Sequence, residues 1–365
     1  MAFAISRYLE EKSIERKEFL YEVITPLFLG NADQEAELRS APFKGLIRYW
    51  WRVTQHKLND ASKLLFAESK IFGSAGENDG SGRSRIKIIV QPDGDKPMKA
   101  VKTPFPFLKS INHPEVNKSN VNPLQYLAGM GIMRGVNINR SYFPPGTRFK
   151  VSFEYPASIK DEIIPVLCLA QAFGTIGARS RNGWGSIQVL SETIPIGQIP
   201  QKISNITIPW QQGMLNDYPN CLGKDAIGDL LWKTTARNSW GETMRDLADA
   251  YVDIRARTVS DIQKLNPGGR NQINERHLLG IPLTNHTVID KSKGWVKDSR
   301  HASPLRFFVR RQDEKYHGYI LHLPHSFSMQ KKLPPEIDQL VIWENVHKKL
   351  DGIALLTRAK IEDCL

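Results

Sequence analysis

The chain has 365 residues, a length that predicts two domains or one large domain with insertions. Hydrophobic residues make up 41% and charged residues 24% of it, which argues against collagen-like, coiled-coil and wholly disordered proteins. Fifty Lys and Arg residues against 38 Asp and Glu residues give a net charge of +12, so the sequence favours a polyanionic partner, either nucleic acid or an anionic membrane surface.

The membrane alternative is the weaker of the two. No stretch approaches the roughly 18 apolar residues of a spanning helix, and the best run, 163–170, contains Pro165. Charged residues interrupt the amino terminus, which therefore does not resemble a signal peptide. We expect a cytoplasmic protein without a membrane partner. The three cysteines are far apart, which argues against disulfides and a cysteine zinc site.

The first half of the chain predicts two β-α-β units separated by an insertion. Residues 18–29 predict a strand, and residues 43–58 predict an amphipathic helix because apolar side chains recur at three- and four-residue spacing. The insertion spans about 92–140 and contains a short helix near 124–130. The other predicted elements are a strand at 86–90, a strand at 149–155, a helix at 158–173 and a strand at 186–190. This order predicts a ferredoxin-like domain over residues 1–195.

The second half, residues 196–365, predicts another α+β domain of similar plan after a linker at 191–223. Ser239 and Glu242 form the pattern of a capping box before a long helix whose inner face extends to Ile262. Segments 305–309 and 316–323 predict a hairpin. Pro335 is expected to open the last helix and Gly352 to cap its end. The predicted fold class is therefore α+β, with two tandem ferredoxin-like domains.

A glycine-rich segment at 174–185 is the first candidate binding site. Glycines let a backbone approach a ligand closely, two arginines can fork onto phosphates, and a tryptophan ring can stack on a base. The alternative is a glycine-rich turn with solvated arginines. The candidate residues are Gly174, Gly177, Arg179, Ser180, Arg181, Gly183, Trp184 and Gly185.

A basic stripe on the first predicted helix is the second candidate. Lys44, Arg48 and Arg52 recur every four residues and share one side of the helix. An ordinary solvated helix face is the alternative. In a ferredoxin-like fold the stripe lies near one end of the sheet, so we expect it to converge with the glycine-rich segment on one groove.

Candidates for catalysis are few. His56, at the end of the basic helix, is a possible general base for metal-independent RNA cleavage, in which a 2′-hydroxyl attacks its own phosphate. Asp33, with Glu35 and Glu37 nearby, could shuttle a proton or hold a divalent ion. Solvated or structural roles are the alternatives for all of them. His322 and His325 lack nearby acidic ligands. We therefore expect no metal and no cofactor.

Several blocks of the sequence resemble one known family. The segment from Lys44 to Arg52, Lys-Gly-x-x-Arg-x-Trp-Trp-Arg, and the segment from Gly177 to Gly185, Gly-Ala-Arg-Ser-Arg-x-Gly-x-Gly, resemble RAMP proteins of type III CRISPR systems, specifically the Cmr subunit one family. Blocks at 25–30, 72–73, 145–147 and 300–305 resemble the same family in the same order.

The resemblance implies two ferredoxin-like, RRM-related domains and a place in an RNA-guided complex. It implies a subunit that caps the complex near the 3′ end of the CRISPR RNA and contacts CRISPR RNA, target single-stranded RNA, backbone RAMP proteins and the large palm-domain subunit. Cleavage is expected in other subunits, so this chain is expected not to be an enzyme. The alternatives are a metal-independent endoribonuclease that processes CRISPR RNA, and a protein adaptor whose basic surface contacts acidic subunits.

Overall fold

The structure is a computed structural model of the chain. It describes residues 13–74, 82–94, 98–114, 120–129, 131–191, 194–257, 273–281, 289–296, 299–327 and 331–365. Helices and antiparallel sheets alternate along these residues, and the predicted α+β class is confirmed. Ile262, predicted to lie on a helix face, is outside the described residues.

The first half forms a four-stranded antiparallel sheet with helices between its strands. Its strand order is β2-β3-β1-β4, which with its connections is the predicted β-α-β, β-α-β arrangement. The elements are β1 (Ile14–Val23), α1 (Ser40–Val53), α2 (Ala61–Phe72), β2 (Lys87–Pro92), α3 (Pro123–Ala128), β3 (Arg148–Pro156), α4 (Lys160–Phe173) and β4 (Ile187–Val189).

The second half repeats this plan with a second four-stranded antiparallel sheet. Its order is β6-β7-β5-β8, so the first strand again lies between the third and the fourth. The elements are β5 (Leu231–Thr234), α5 (Trp240–Val252), β6 (Leu305–Gln312), β7 (Lys315–His322), α6 (Gln339–Gly352) and β8 (Leu356–Arg358).

Short elements connect these larger ones. Two small hairpins lie in the insertion, and a pair of parallel strands lies in the segment of chain that connects the two large sheets. Their bounds are Ile111–Asn112 with Asn120–Val121, Met133–Arg134 with Asn137–Ile138, and Thr207–Pro209 with Leu222–Lys224, together with helices Ile199–Ile203 and Trp210–Gly213.

The apolar face of helix α1 packs into the core of the first half and positions the helix. Phe43, Ile47, Trp50 and Trp51 are all buried there, and the Trp50 ring lies 5.5 Å from the Phe173 ring of α4. The helix ends at Val53, earlier than predicted. Burying side chains of this size contributes about 1.5–3 kcal/mol each and fixes α1 against the sheet.

Helix boundaries differ from the predictions where side-chain capping decides them. Helix α2 was missed; the Asp60 carboxylate caps it by accepting from the Lys63 N–H at 2.8 Å. Asp338 caps α6 in the same way, so this helix begins after Pro335. Gly352 is the last helical residue and is not among the described residues with positive φ, so the expected glycine cap is wrong.

The two sheets share their hydrophobic cores. Phe308 and Tyr319 of the second sheet pack in one cluster with Phe19 and Phe173 of the first half. The second cluster joins Trp184 to side chains of α5 and β6. Both clusters therefore contain side chains from before and from after residue 195. The domain division at that residue stays a prediction.

Candidate nucleic-acid interface

The glycine-rich segment between α4 and β4 is packed against its own chain. An added Cβ at Gly177, whose φ is +89°, would lie 2.4 Å from the Phe28 oxygen. At Gly185, with a φ of +62°, it would lie 2.0 Å from the Ile176 oxygen. Gly174 and Gly183 are closely packed in the same way, against Ala170 and Met244. The glycines therefore allow close approach of protein to protein, where the sequence suggested close approach to a ligand.

Trp184 has a packing role. Its side chain is fully buried, and its ring stacks on Phe105 with centroids 5.1 Å apart. Phe28 and Trp240 contact it from other directions, at 5.6 and 6.2 Å. No face of the indole is open to a base, so the predicted stacking by Trp184 is corrected: tertiary packing of the insertion and of α5 covers the ring.

The polar tip of the segment, from Arg179 to Arg181, remains accessible. Arg179 is exposed and has a φ of +58°, the left-handed conformation of a tight turn. Ser180 and Arg181 are half-buried, and the Arg181 guanidinium donates to the Ser303 oxygen at 3.5 Å. The Arg181 guanidinium therefore points toward the second half of the chain, whereas that of Arg179 lies over Gly129 of the insertion.

A groove of about 470 Å³ lies between this tip and the second half. Arg255 and Arg300 of the second half line it together with Arg179 and Arg181, and no Asp or Glu is among the described residues that line it. Its lining residues are Arg179, Ser180, Arg181, Asn182, Tyr251, Arg255, Leu279, Gly280, Ile281, Arg300, His301, Ala302 and Ser303. Guanidinium groups bind phosphate oxygens, so a groove lined by four arginines is suited to phosphates.

The second-half residues of the groove were not predicted as site residues. Arg300, His301 and Ser303 belong to the 300–305 block that resembles the family, which was the available signal. Arg255 lies just beyond α5, one turn past its last α-helical residue. Only the packing of the two halves against each other brings these residues into one groove with Arg181.

The basic stripe on α1 is held by a buried carboxylate. The Glu68 side chain of α2, 1% exposed, accepts from Arg48 Nε at 2.7 Å and from an Arg52 terminal nitrogen at 2.9 Å. Burial alone would raise the pKa of Glu68, but hydrogen bonds and charges from the two arginines outweigh burial and lower it. Lys44 and Arg48 line a separate depression of about 480 Å³ with Glu68.

Helix α1 nevertheless approaches the glycine-rich segment, through Tyr49. The Arg181 guanidinium lies 5.5 Å from the Tyr49 ring centre, and that of buried Arg306 lies 4.5 Å from it. Burial lowers the pKa of Arg306, which also donates to Thr175 Oγ1 at 2.7 Å. The two candidate sites thus meet at an aromatic side chain, while the stripe itself faces α2.

The residues considered for catalysis are not brought together. Asp33 is exposed in the loop before α1, and His56 lies in the turn after it. Since α1 has 14 residues, it is about 21 Å long. Burial, and then the charge of Lys57, lower the pKa of His56. His322 and His325 are buried and bond to His347 and the Leu323 oxygen.

Neither a metal cluster nor a membrane-spanning helix is present among the described residues. They contain no cluster of three or more His, Cys, Asp or Glu side chains that could hold a metal ion. None of the helices among them is long and apolar enough to cross a membrane.

A comparison with protein families identifies the first half of the chain. Residues 20–188, from β1 to β4, match the model described as the RAMP superfamily. Over these residues the chain is similar to that superfamily, and the resemblance predicted from its motifs is confirmed.

Comparisons over the whole chain point to one kind of relative. The chain is 27% identical to the CRISPR system Cmr subunit Cmr1-1 of Pyrococcus furiosus over 373 residues, covering 94% of each. The apo crystal structure of Cmr1 from Pyrococcus furiosus matches with a TM-score of 0.51 and 21% identity, covering 94% of this chain and 98% of that one. The chain shares that fold, and the predicted resemblance to the Cmr subunit one family is confirmed.

A more distant match is a cryo-EM structure of the type III-B Cmr-beta bound to cognate target RNA. Its TM-score is 0.29 at 11% identity, and the match covers 52% of this chain and 63% of that chain. A likeness at this level does not establish a shared fold.

Proposed function

We propose that this chain is a non-catalytic, RNA-binding subunit of a type III-B CRISPR effector complex of the Cmr kind. The observation that carries the proposal is the groove in which Arg179, Arg181, Arg255 and Arg300 come from both halves of the chain. One guanidinium group can donate two parallel hydrogen bonds to the oxygens of a phosphate. The net charge of +12 would attract a polyanion toward these groups. CRISPR RNA and target single-stranded RNA are the proposed ligands.

The place in the complex is proposed from similarity to Cmr1-1 over 94% of the chain. There the chain would cap the assembly near the 3′ end of the CRISPR RNA and help to hold guide and target RNA. Its protein partners would be backbone RAMP subunits and the large palm-domain subunit. A cytoplasmic location follows from this role.

The α1 stripe has a smaller part in this proposal than the groove. The Glu68 carboxylate offsets one of the charges of Arg48 and Arg52 and fixes the orientation of both guanidinium groups. Lys44, also on the stripe, and the remaining donors of the two arginines can still contact a phosphate at the edge of the bound strand.

RNA cleavage is not part of the proposed function. His56 and Asp33 lie at opposite ends of α1, and neither lines the arginine groove. A cleaving site would need a base within hydrogen-bond reach of the attacking hydroxyl. Incubating the pure chain with a repeat-containing RNA in a metal chelator should leave the RNA intact. Specific cleavage that disappears in His56→Ala would instead establish the endoribonuclease alternative.

Salt-dependent binding tests the proposed groove. Replacing both Arg181 and Arg300 with Ala should weaken binding of single-stranded RNA of any sequence and lower the slope of log affinity against log salt by about 0.7 per lost phosphate contact. The matched control is Lys348→Ala with Lys224→Ala, two exposed charges outside the groove. An unchanged slope in the arginine variant would refute the groove.

Crosslinking within the assembled complex separates RNA binding from the adaptor alternative. The proposal predicts RNA adducts at residues beside Arg181. An adaptor that contacts only acidic protein surfaces would give almost none there.

A further inference from the structure

One aromatic side chain of the insertion is held out into solvent. Phe107 is 94% exposed, and the next most exposed large hydrophobic side chain of the described residues is Ile227, at 67%. Such exposure leaves both faces of a phenyl ring open. Phe107 therefore has the accessibility that was expected of Trp184 and that Trp184 lacks.

The segment that carries Phe107 is anchored on both sides of it. Before it, Val101 forms a two-way backbone bridge with Tyr142, each N–H···O distance being 2.9 Å. Phe105 then stacks on Trp184. After it, the Lys109 oxygen accepts from Arg245 Nε at 2.9 Å. Because its neighbours are fixed, the backbone that carries Phe107 is held in place, and less conformational entropy is lost when a ligand stacks on the ring than on a ring of a freely moving loop.

The charge around Phe107 favours a polyanion. Residues 98–114 contain Lys99, Lys102 and Lys109 and no Asp or Glu, and all three lysines are exposed. Glu242 lies on the nearby first turn of α5, where its carboxylate accepts from the Ser239 hydroxyl at 3.1 Å. An aromatic ring among lysines is the combination that holds single-stranded nucleic acid, by stacking on bases and neutralising phosphates.

Helix α5 links this segment to the arginine groove. Leu108 packs over Gly241 in the first turn of α5, and Tyr251, ten residues further along, lines the groove. Ten helical residues span about 15 Å, a length that a single strand of a few nucleotides covers. One short single strand can therefore reach both places.

We propose that Phe107 is a base-stacking residue for the single-stranded RNA whose phosphates lie in the arginine groove. This inference rests on the proposed function, since it requires that the groove binds RNA. It assigns a role to part of the 92–140 insertion. It also gives buried Trp184 an indirect role, because Trp184 supports Phe105 and so positions Phe107.

The test compares Phe107→Ala with the unaltered full chain in binding to two fluorescent 12-nucleotide probes. One probe is oligoadenylate, and the other has the same ribose-phosphate backbone with abasic residues. Phe107→Ala should bind oligoadenylate at least about fivefold more weakly, and it should bind the abasic probe as the unaltered chain does. Phe107→Tyr should restore the affinity. The control is Phe66→Ala, which removes another exposed phenylalanine, on α2.

The outcomes distinguish this inference from the proposed function. If Phe107→Ala leaves oligoadenylate binding unchanged while Arg181→Ala with Arg300→Ala weakens it, the groove stands and the stacking role is refuted. An equal loss with both probes would also refute stacking. If the unaltered chain binds neither probe, both proposals fail. If Phe107→Ala loses a protein partner while its affinity for RNA is unchanged, Phe107 is a protein contact and the stacking role is refuted.

Discussion

The carboxylate of Glu68 offers the sharpest test of how α1 is held. Glu68→Gln keeps the shape of the side chain and removes the charge that Arg48 and Arg52 share. Hydrogen bonds to charged groups contribute about 1.5–3 kcal/mol each. Both arginine side chains are partly exposed, at 38% and 41%, and water can solvate them after the change. We therefore expect Glu68→Gln to lower the free energy of unfolding by about 2 kcal/mol, near the lower end of that range.

The stabilisation that the Glu68 carboxylate provides should decrease as pH falls. The pKa of this carboxyl is lower in the folded chain than its ordinary value, so the folded state favours the charged form. The stabilisation is complete above the unfolded pKa, about 4.3, and is lost as pH falls through the folded pKa. The difference between the unaltered chain and Glu68→Gln should be constant from pH 6 to 8 and shrink below about pH 4.5.

Urea denaturation at several pH values measures this difference. The control is Glu344→Gln, which removes an exposed carboxylate paired with Lys348 within α6 and should cost at most about 0.5 kcal/mol. Equal stability of Glu68→Gln and Glu344→Gln at pH 7 would refute the structural role of the Glu68 cluster. The basic stripe would then be available for RNA in full.

Three further predictions concern buried groups. Trp184→Ala should lower the free energy of unfolding by about 3–5 kcal/mol, as measured by urea denaturation, because it leaves a cavity among stacked rings; a loss below about 1 kcal/mol would contradict that burial. Gly185→Ala should destabilise the chain strongly, since its Cβ would clash with the Ile176 oxygen, whereas Gly197→Ala, with open space around it, should leave the melting temperature nearly unchanged. Burial lowers the pKa of His347 to about 4 and that of His322 below its ordinary value, so unfolding free energy should fall as pH drops from about 6.5 toward 4; a flat profile by urea denaturation at pH 7, 6 and 5 would refute this.

Periodic patterns of apolar residues predicted those helices and strands that bury a face of their own side chains. The three- and four-residue spacing from Phe43 predicted α1, and alternation from Phe149 to Tyr155 predicted β3. Helix α2 was missed because its buried side chains are mixed with exposed Leu65 and Phe66, which blurs the periodicity.

Local sequence could not assign the roles of the site residues. Arg48 and Arg52 were recognised as one stripe, but the carboxylate they bind comes from Glu68 on the missed helix α2. The sequence suggested a stacking surface at Trp184 because Phe105, which covers it, is 79 positions earlier in the chain. Contacts of this length depend on tertiary packing, and a local pattern carries no information about them.

The sequence by itself determined the excess of positive charge, the order of most strands and helices in the first half, and the resemblance confirmed over residues 20–188. The charge follows from composition and the order of elements from local periodicity, because charge is a sum and periodicity reports which face of an element is buried. The resemblance rests on the motifs at 44–52 and 177–185. Only the tertiary structure decided that Arg181 and Arg300 line one groove and that Phe107 remains exposed. Both depend on how the two halves and the insertion pack together, and this packing assigns each arginine and each aromatic ring to the core or to the surface.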